Sequence, residues 1–175
     1  MIVPKGMDKI TENLYLGSVA AAEDIDNLKK LGIKKVLSLL EFFHFPKYKK
    51  EDNIIHKKID IRDFDTENII KYFGECLKFI EGDDKILVHC MVGSSRSASF
   101  VIAYIMWNKK MSFKEAFEYV KSKRKTILPN PGFSEQLELF EKELIEKNYD
   151  IDKINFSQIK WEPKDYCEEN IDEII

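Results

Sequence analysis

Cysteine is scarce, and what there is excludes several classes of protein. The three cysteines, Cys76, Cys90 and Cys167, are odd in number and scattered, so they form no disulfide framework. No pair of them has the spacing of a metal site, no other ligand cluster is visible, and neither a metal nor another cofactor is expected. Free thiols suit a reducing compartment, so a cytoplasmic setting is expected. Excess positive charge is also missing. The net charge is −3, which argues against nucleic acid and against a membrane surface as partners. No apolar run is long enough for a bilayer span, and the opening MIVPKGMDKI does not read as a signal peptide. Position 2 is not glycine and there is no terminal CaaX box, so no lipid anchor is indicated.

What the chain does have is a core. It has 175 residues, 44% of them hydrophobic, which is enough for one α/β domain. The most informative stretch is Lys85–Ser99, KILVHCMVGSSRSAS. Ile86, Leu87 and Val88 read as a strand in the middle of a sheet. The residues from Ser97 to Trp107 are apolar nearly all round, as in a buried helix. Between them stand Cys90, then Met91-Val92-Gly93-Ser94-Ser95, then Arg96. A tight loop opening a helix turns backbone N–H groups inward as a nest for a tetrahedral anion. Gly93 supplies backbone freedom there, and Arg96 a fork that can bind two phosphate oxygens at once. The same positive field favours the thiolate of a cysteine at the mouth of the loop. An anion cradle and a nucleophilic sulfur in one loop imply attack on phosphorus.

Breaking a phosphate ester also requires a proton donor for the leaving oxygen. Three carboxylates cluster at Asp60, Asp63 and Asp65. Asp60 alternates with Ile59 and Ile61 in a strand, whereas Asp63 falls where that strand gives way to a loop. Loops at the carboxyl ends of strands are where α/β sites form.

His89-Cys90-(five residues)-Arg96-Ser97 resembles the signature loop of the cysteine-dependent protein tyrosine phosphatases, and its surroundings resemble the dual-specificity branch. Leu14-Tyr15-Leu16-Gly17 resembles the turn that opens such domains, and Pro129, Asn130 and Phe133 the turn before their last helix. The likeness covers about residues 8–147 and leaves 148–175 as an acidic, aromatic extension. It implies a single domain with a central, mostly parallel twisted sheet flanked by helices. The branch places its acid ten residues before the aromatic matched by Phe73, which selects Asp63. By the same likeness Cys90 is the nucleophile and Arg96 and the residue 91–96 amides hold phosphate. Ser97 donates to the sulfur, His89 orients the loop from behind and need not be charged, and Asn130 braces the phosphate loop. The implied substrates are phosphotyrosine and phosphoserine or phosphothreonine in proteins. Three alternatives stand beside this: a non-catalytic phosphoprotein reader, a phosphatase for phosphoinositides or other phosphomonoesters, and a rhodanese-like sulfur carrier.

The rest of the chain reads as scaffold. A helix is expected from Ser18 to Leu31, closed by Gly32, then strands over Ile33–Leu40 and Ile54–Ile61. Glu67–Glu81 reads as an amphipathic helix with Cys76 beside its apolar stripe, inert or a resolving partner for an oxidised Cys90. Ser112-Phe113-Lys114-Glu115 is a capping box. Phe42, Phe43 and Phe45 either pack under the sheet or rim a pocket, and His44 and His56 read as exposed. Lys121–Lys125 is a solvated helix end, a second anion site or a nuclear address. The extension is expected to fold back, to self-associate or to dock a partner through Phe156, Ile159 and Trp161.

Overall fold

Alternation along the strands divides the apolar side chains between two sides of one sheet. In the computed structural model, which describes residues 6–164, the strands are β1 (Met7–Lys9), β2 (Leu14–Gly17), β3 (Ile33–Leu40), β4 (Ile55–Asp60) and β5 (Lys85–His89). Their order is β1-β2-β5-β3-β4; β1 runs antiparallel to β2 and all other neighbours are parallel. β5 is thus the central strand, as Ile86–Val88 led one to expect. Leu14, Leu16, Leu37, Leu39, Ile86 and Val88 enter the larger core, while Tyr15, Val36 and Leu87 enter the smaller one on the opposite face.

Helices cover both faces. On the smaller side α1 (Val19–Glu23) and α2 (Ile25–Leu31) contribute Ala21, Ala22 and Leu28. The larger side is covered by α3 (Phe73–Ile80), α4 (Arg96–Lys109), α5 (Phe113–Lys123) and α6 (Pro131–Glu146). α4 is buried continuously from Arg96 to Met106, which is why its sequence shows no polar face. The capping box at Ser112 forms as read: the Glu115 N–H donates to Ser112 Oγ and the Ser112 N–H to Glu115 Oε2.

Two helices differ from expectation. The single helix read from Ser18 to Leu31 is broken at Asp24, whose φ of −81° and ψ of 75° leave the helical region. Asp24 caps α2 by accepting from the Asn27 N–H, whereas Ser18 makes no capping bond. The helix read from Glu67 becomes regular only at Phe73, after a 3-10 turn at Ile70–Tyr72. The reason is Gln136 on α6. Its Oε1 accepts from the Ile69 and Ile70 amides at 2.7 and 3.0 Å, and its Nε2 donates to the Glu67 carbonyl at 2.9 Å. These groups are satisfied by a side chain from outside, so the segment from Glu67 to Ile70 is held without joining the α-helix.

Beyond α6 the chain returns to the domain. Ile151 and Ile154 are buried, Phe156 packs on Phe140 at 6.0 Å between ring centroids, and the Trp107 indole N–H donates to the Tyr149 carbonyl. Ile159 also lies against the core. Tyr166, Cys167 and the terminal isoleucines lie outside the described residues.

Candidate active site

Three adjacent parallel strands, β5, β3 and β4, end side by side, and each hands a functional group to the same place. Cys90 follows β5, Glu41 follows β3, and Ile61–Asp63 follow β4. Arg96, the first residue of α4, joins them. Its Nη1 donates to Glu41 Oε2 at 2.7 Å and to the Ile61 carbonyl at 3.1 Å, and its Nε lies 3.9 Å from Asp63 Oδ2. That Nε is buried and has no hydrogen-bond partner among the described residues, an uncommon state for a guanidinium. Glu41 did not emerge from the sequence. Burial pushes its carboxyl up, but the Arg96 guanidinium and its own backbone amide outweigh this and hold it below the usual carboxylate range.

The loop from Cys90 to Ser95 is turned inside out with respect to its carbonyls. Cys90 O faces the His89 ring nitrogen Nδ1 at 3.2 Å, and Met91 O accepts from the Val19 N–H. Val92 O and Gly93 O accept from Arg124 Nη2 and Nε at 3.0 and 2.8 Å. Ser94 O and Ser95 O accept from the Leu128 and Ser99 amides. With every carbonyl bonded outward, the N–H groups are left for the inside, which is the requirement of an anion nest. The Cys90 sulfur receives the Gly93 N–H at 3.2 Å and the Ser97 hydroxyl at 3.1 Å. Gly93 has φ of +80°, and a Cβ there would lie 2.4 Å from the Gly17 carbonyl oxygen, so no other residue fits.

Asp63 is the carboxylate that the structure brings to this loop. Ser95 Oγ donates to its Oδ1 at 2.6 Å and Asn130 Nδ2 at 3.0 Å. Asp60 is the last residue of β4 and exposed, and Asp65 stands further along the loop. Asn130 donates its backbone N–H to Ser95 Oγ of the phosphate loop, and its side chain holds Asp63 and caps α6 by accepting the Phe133 N–H.

Behind the loop lies a hydrogen-bonded chain that also corrects the reading of His56. His56 is half-buried, not exposed; its Nε2 is 2.7 Å from Ser38 Oγ, which is 2.5 Å from Nε2 of the buried His89. The directions follow from the far end. The Cys90 carbonyl can only accept, so His89 carries its proton on Nδ1 and accepts at Nε2 from the Ser38 hydroxyl. Ser38 then accepts from His56 Nε2–H. Burial lowers the pKa of both histidines to about 4, so both rings are neutral at pH 7.

Arg124, within the basic run Lys121–Lys125, is not solvated but fastened to Asp8 at 2.6 Å and to two loop carbonyls. Cys76 is fully buried on α3 and burial pushes its thiol up, away from the ionised form a resolving partner needs. Phe42 and Phe43 are exposed, not packed under the sheet; only Phe45 lies partly against the core. A cleft of about 680 Å³ opens over the loop, lined by Cys90, Arg96, Asp63, Val92, Leu128 and Asn130 among others.

An α/β domain with a thiol held in an anion nest on its central strand belongs to the cysteine-dependent phosphatase class. Comparison with known proteins narrows this. The family model described as "Dual specificity phosphatase, catalytic domain" matches residues 14–143. Dual specificity protein phosphatase 1B of Arabidopsis thaliana is 38% identical over 144 residues, covering 80% of this chain and 84% of that protein. Dual specificity protein phosphatase 1 of the same plant is 37% identical, covering 77% and 69%. Among solved structures, the human tyrosine phosphatase-like serine/threonine/tyrosine-interacting protein superposes with a TM-score of 0.76 at 35% identity, covering 81% of this chain and 99% of that one. The chain belongs to the dual specificity phosphatase family and is an enzyme of that kind, a protein phosphatase acting on phosphoric monoesters.

Proposed function

We propose that this chain hydrolyses phosphotyrosine and phosphoserine or phosphothreonine in proteins through a phosphocysteine intermediate. Cys90 Sγ attacks phosphorus while the loop amides and Arg96 bind the equatorial oxygens. The bond from phosphorus to the side-chain oxygen breaks, and Asp63 gives that oxygen its proton. A water then attacks the phosphocysteine and passes a proton to Asp63. The S–P bond breaks, inorganic phosphate leaves, and the Ser97 hydroxyl donates to the departing sulfur. Glu41 holds Arg96 in register, and Asn130 and Ser95 hold Asp63.

The observation that carries this reading is the Cys90 sulfur accepting from two donors inside a loop whose carbonyls are all bonded outward. Cys90→Ser abolishes turnover of an aryl phosphate while phosphate or tungstate still binds; residual turnover above a few per cent means another nucleophile. Asp63→Asn lowers kcat roughly 10²–10⁴-fold for a poor leaving group and less for a good one. A larger loss in Asp65→Asn would reassign the acid.

A second reading is a phosphoprotein reader without turnover, since one structural relative is described as phosphatase-like and interacting. Cys90, Arg96, Ser97 and Asp63 standing together favour catalysis, and the aryl phosphate assay separates the two.

A further inference from the structure

Among the described residues seven large apolar side chains are exposed, and five of them either line the cleft or lie within two residues of Glu41 or Asp63 in sequence. Val92 (64% exposed) and Leu128 (71%) line it, and Phe64 (57%) follows Asp63 directly. Phe42 (68%) and Phe43 (91%) follow Glu41, the partner of Arg96, and stack edge to face at 5.6 Å. Scattered exposed apolar residues are ordinary, whereas a collar of them around one cleft marks a binding surface.

The cleft does not end at the phosphate loop. On one side it continues across Met91 into a groove of about 550 Å³ walled by Val19, Phe43, Phe45 and Pro46. On the other it continues across Leu128 and Pro129 into a groove of about 390 Å³ walled by Phe113 and Phe117. An occupant that enters the cleft and either groove passes Met91 or passes Leu128 and Pro129, and so extends beyond the phosphorylated side chain itself. Charge narrows the choice further. The central cleft pairs Arg96 with Asp63, the first groove Lys47 with Glu23, and the second Lys114 with Glu138. No part of the trough carries the cationic excess that an anionic lipid surface or a multiply phosphorylated ring needs.

We propose that the substrate is an extended phosphopeptide segment whose phosphorylated residue is flanked by a bulky apolar side chain, seated in the groove of Val19, Phe43, Phe45 and Pro46. This rests on the phosphatase reading above and adds a selectivity to it. The groove is mixed, with Glu23, His44 and Lys47 at its edge, but Val19, Ile25, Phe43, Phe45 and Pro46 reward a side chain that leaves water there, and Met91, at the shared rim, keeps it in reach of a chain whose phosphate lies in the nest.

The test uses the full chain and phosphotyrosine peptides that differ only in carrying serine or leucine at each of the flanking positions. Leucine on one side raises kcat/KM about tenfold over serine. Phe43→Ser reduces that advantage to less than about twofold while its kcat and KM on a small aryl phosphate stay within twofold of the parent. Equal rates on serine- and leucine-flanked peptides, or an advantage that survives Phe43→Ser, overturn the proposal. Loss of aryl phosphate turnover in the parent protein would instead overturn the phosphatase reading. The peptide preference is then read by equilibrium binding to Cys90→Ser protein, with the same pass and fail outcomes. Capture of the protein by neutral or anionic vesicles, lost in Phe43→Ser, would assign the collar to a membrane and also overturn the proposal.

Discussion

Single residues in this site act mostly on one another, and the histidine chain shows how far that reaches. A proton added to His89 would sit on Nε2 and face a Ser38 hydroxyl already receiving His56 Nε2–H, so one donor must lose its acceptor. For both histidines burial opposes the charged form, helped at His56 by the charge of Lys58 and by His89. The unfolded chain takes up these protons near pH 6.5 and the folded one only near pH 4. Between those values the unfolded state binds more protons, so stability rises with pH and levels off above about 6.5. Thermal melting followed from pH 5 to 7 therefore shows a rising Tm, in a range above the titration of ordinary carboxylates. His56→Gln keeps a donor for Ser38 and makes the rise shallower. A Tm that is flat over this range, or an unchanged slope in His56→Gln, would contradict the assignment of neutral buried rings.

At the scale of elements, the site is the set of ends of β5, β3 and β4, and only part of that was legible in the sequence. The loop from Cys90 to Arg96 could be read because its chemistry is contiguous, and β3 because Ile33–Leu40 is bounded by Gly32 with φ of 74°. Glu41 was missed although its signal was present: it is the first residue after β3, as Cys90 is after β5, and Asp63 stands three residues after β4. Gln136, Arg124 and the His56–Ser38 contact were missed because they act across 18 to 116 residues of chain, where no local spacing reports them. The same long-range fitting fixes Gly132. A Cβ at this position on α6 would lie 1.8 Å from the Asp65 carbonyl oxygen, so the acid loop rests directly on the helix backbone. Gly132→Ala must push the loop away and carry Asp63 from its Ser95 and Asn130 partners. Hydrolysis of a poor leaving group then falls by roughly 10-fold or more, toward the loss for removing a general acid, while phosphate affinity is retained. An alanine variant with parental kcat would mean that the loop position does not set the acid.

For the whole molecule, the question is what residues 148–164 add to a domain whose family pattern ends at residue 143. The segment leaves α6 through Asn148 and Tyr149, both with positive φ, and the Tyr149 N–H donates to the Leu144 carbonyl. It then buries Ile151 and Ile154 and lays Phe156 so tightly over Gly74 that a Cβ on that glycine would come within 2.7 Å of the ring. Phe156 bridges α3 and α6, and Lys78 on α3 forms an ion pair with Asp152. The ion pair is exposed and contributes little; the apolar contacts carry the attachment. Burial of three such side chains is worth about 1.5–3 kcal/mol each, reduced by the cost of ordering the segment. Truncation after Lys147 therefore lowers Tm by on the order of 10 °C, taking about 2–4 °C per kcal/mol for a chain of this size. Phe156→Ala alone accounts for a large share of that drop, and Lys78→Ala for almost none. Because the apolar side chains are used on the chain's own domain, the truncated protein has the same oligomeric state as the parent. Unchanged melting after truncation, or a change of oligomeric state with it, would show that the segment serves a second copy or a partner instead.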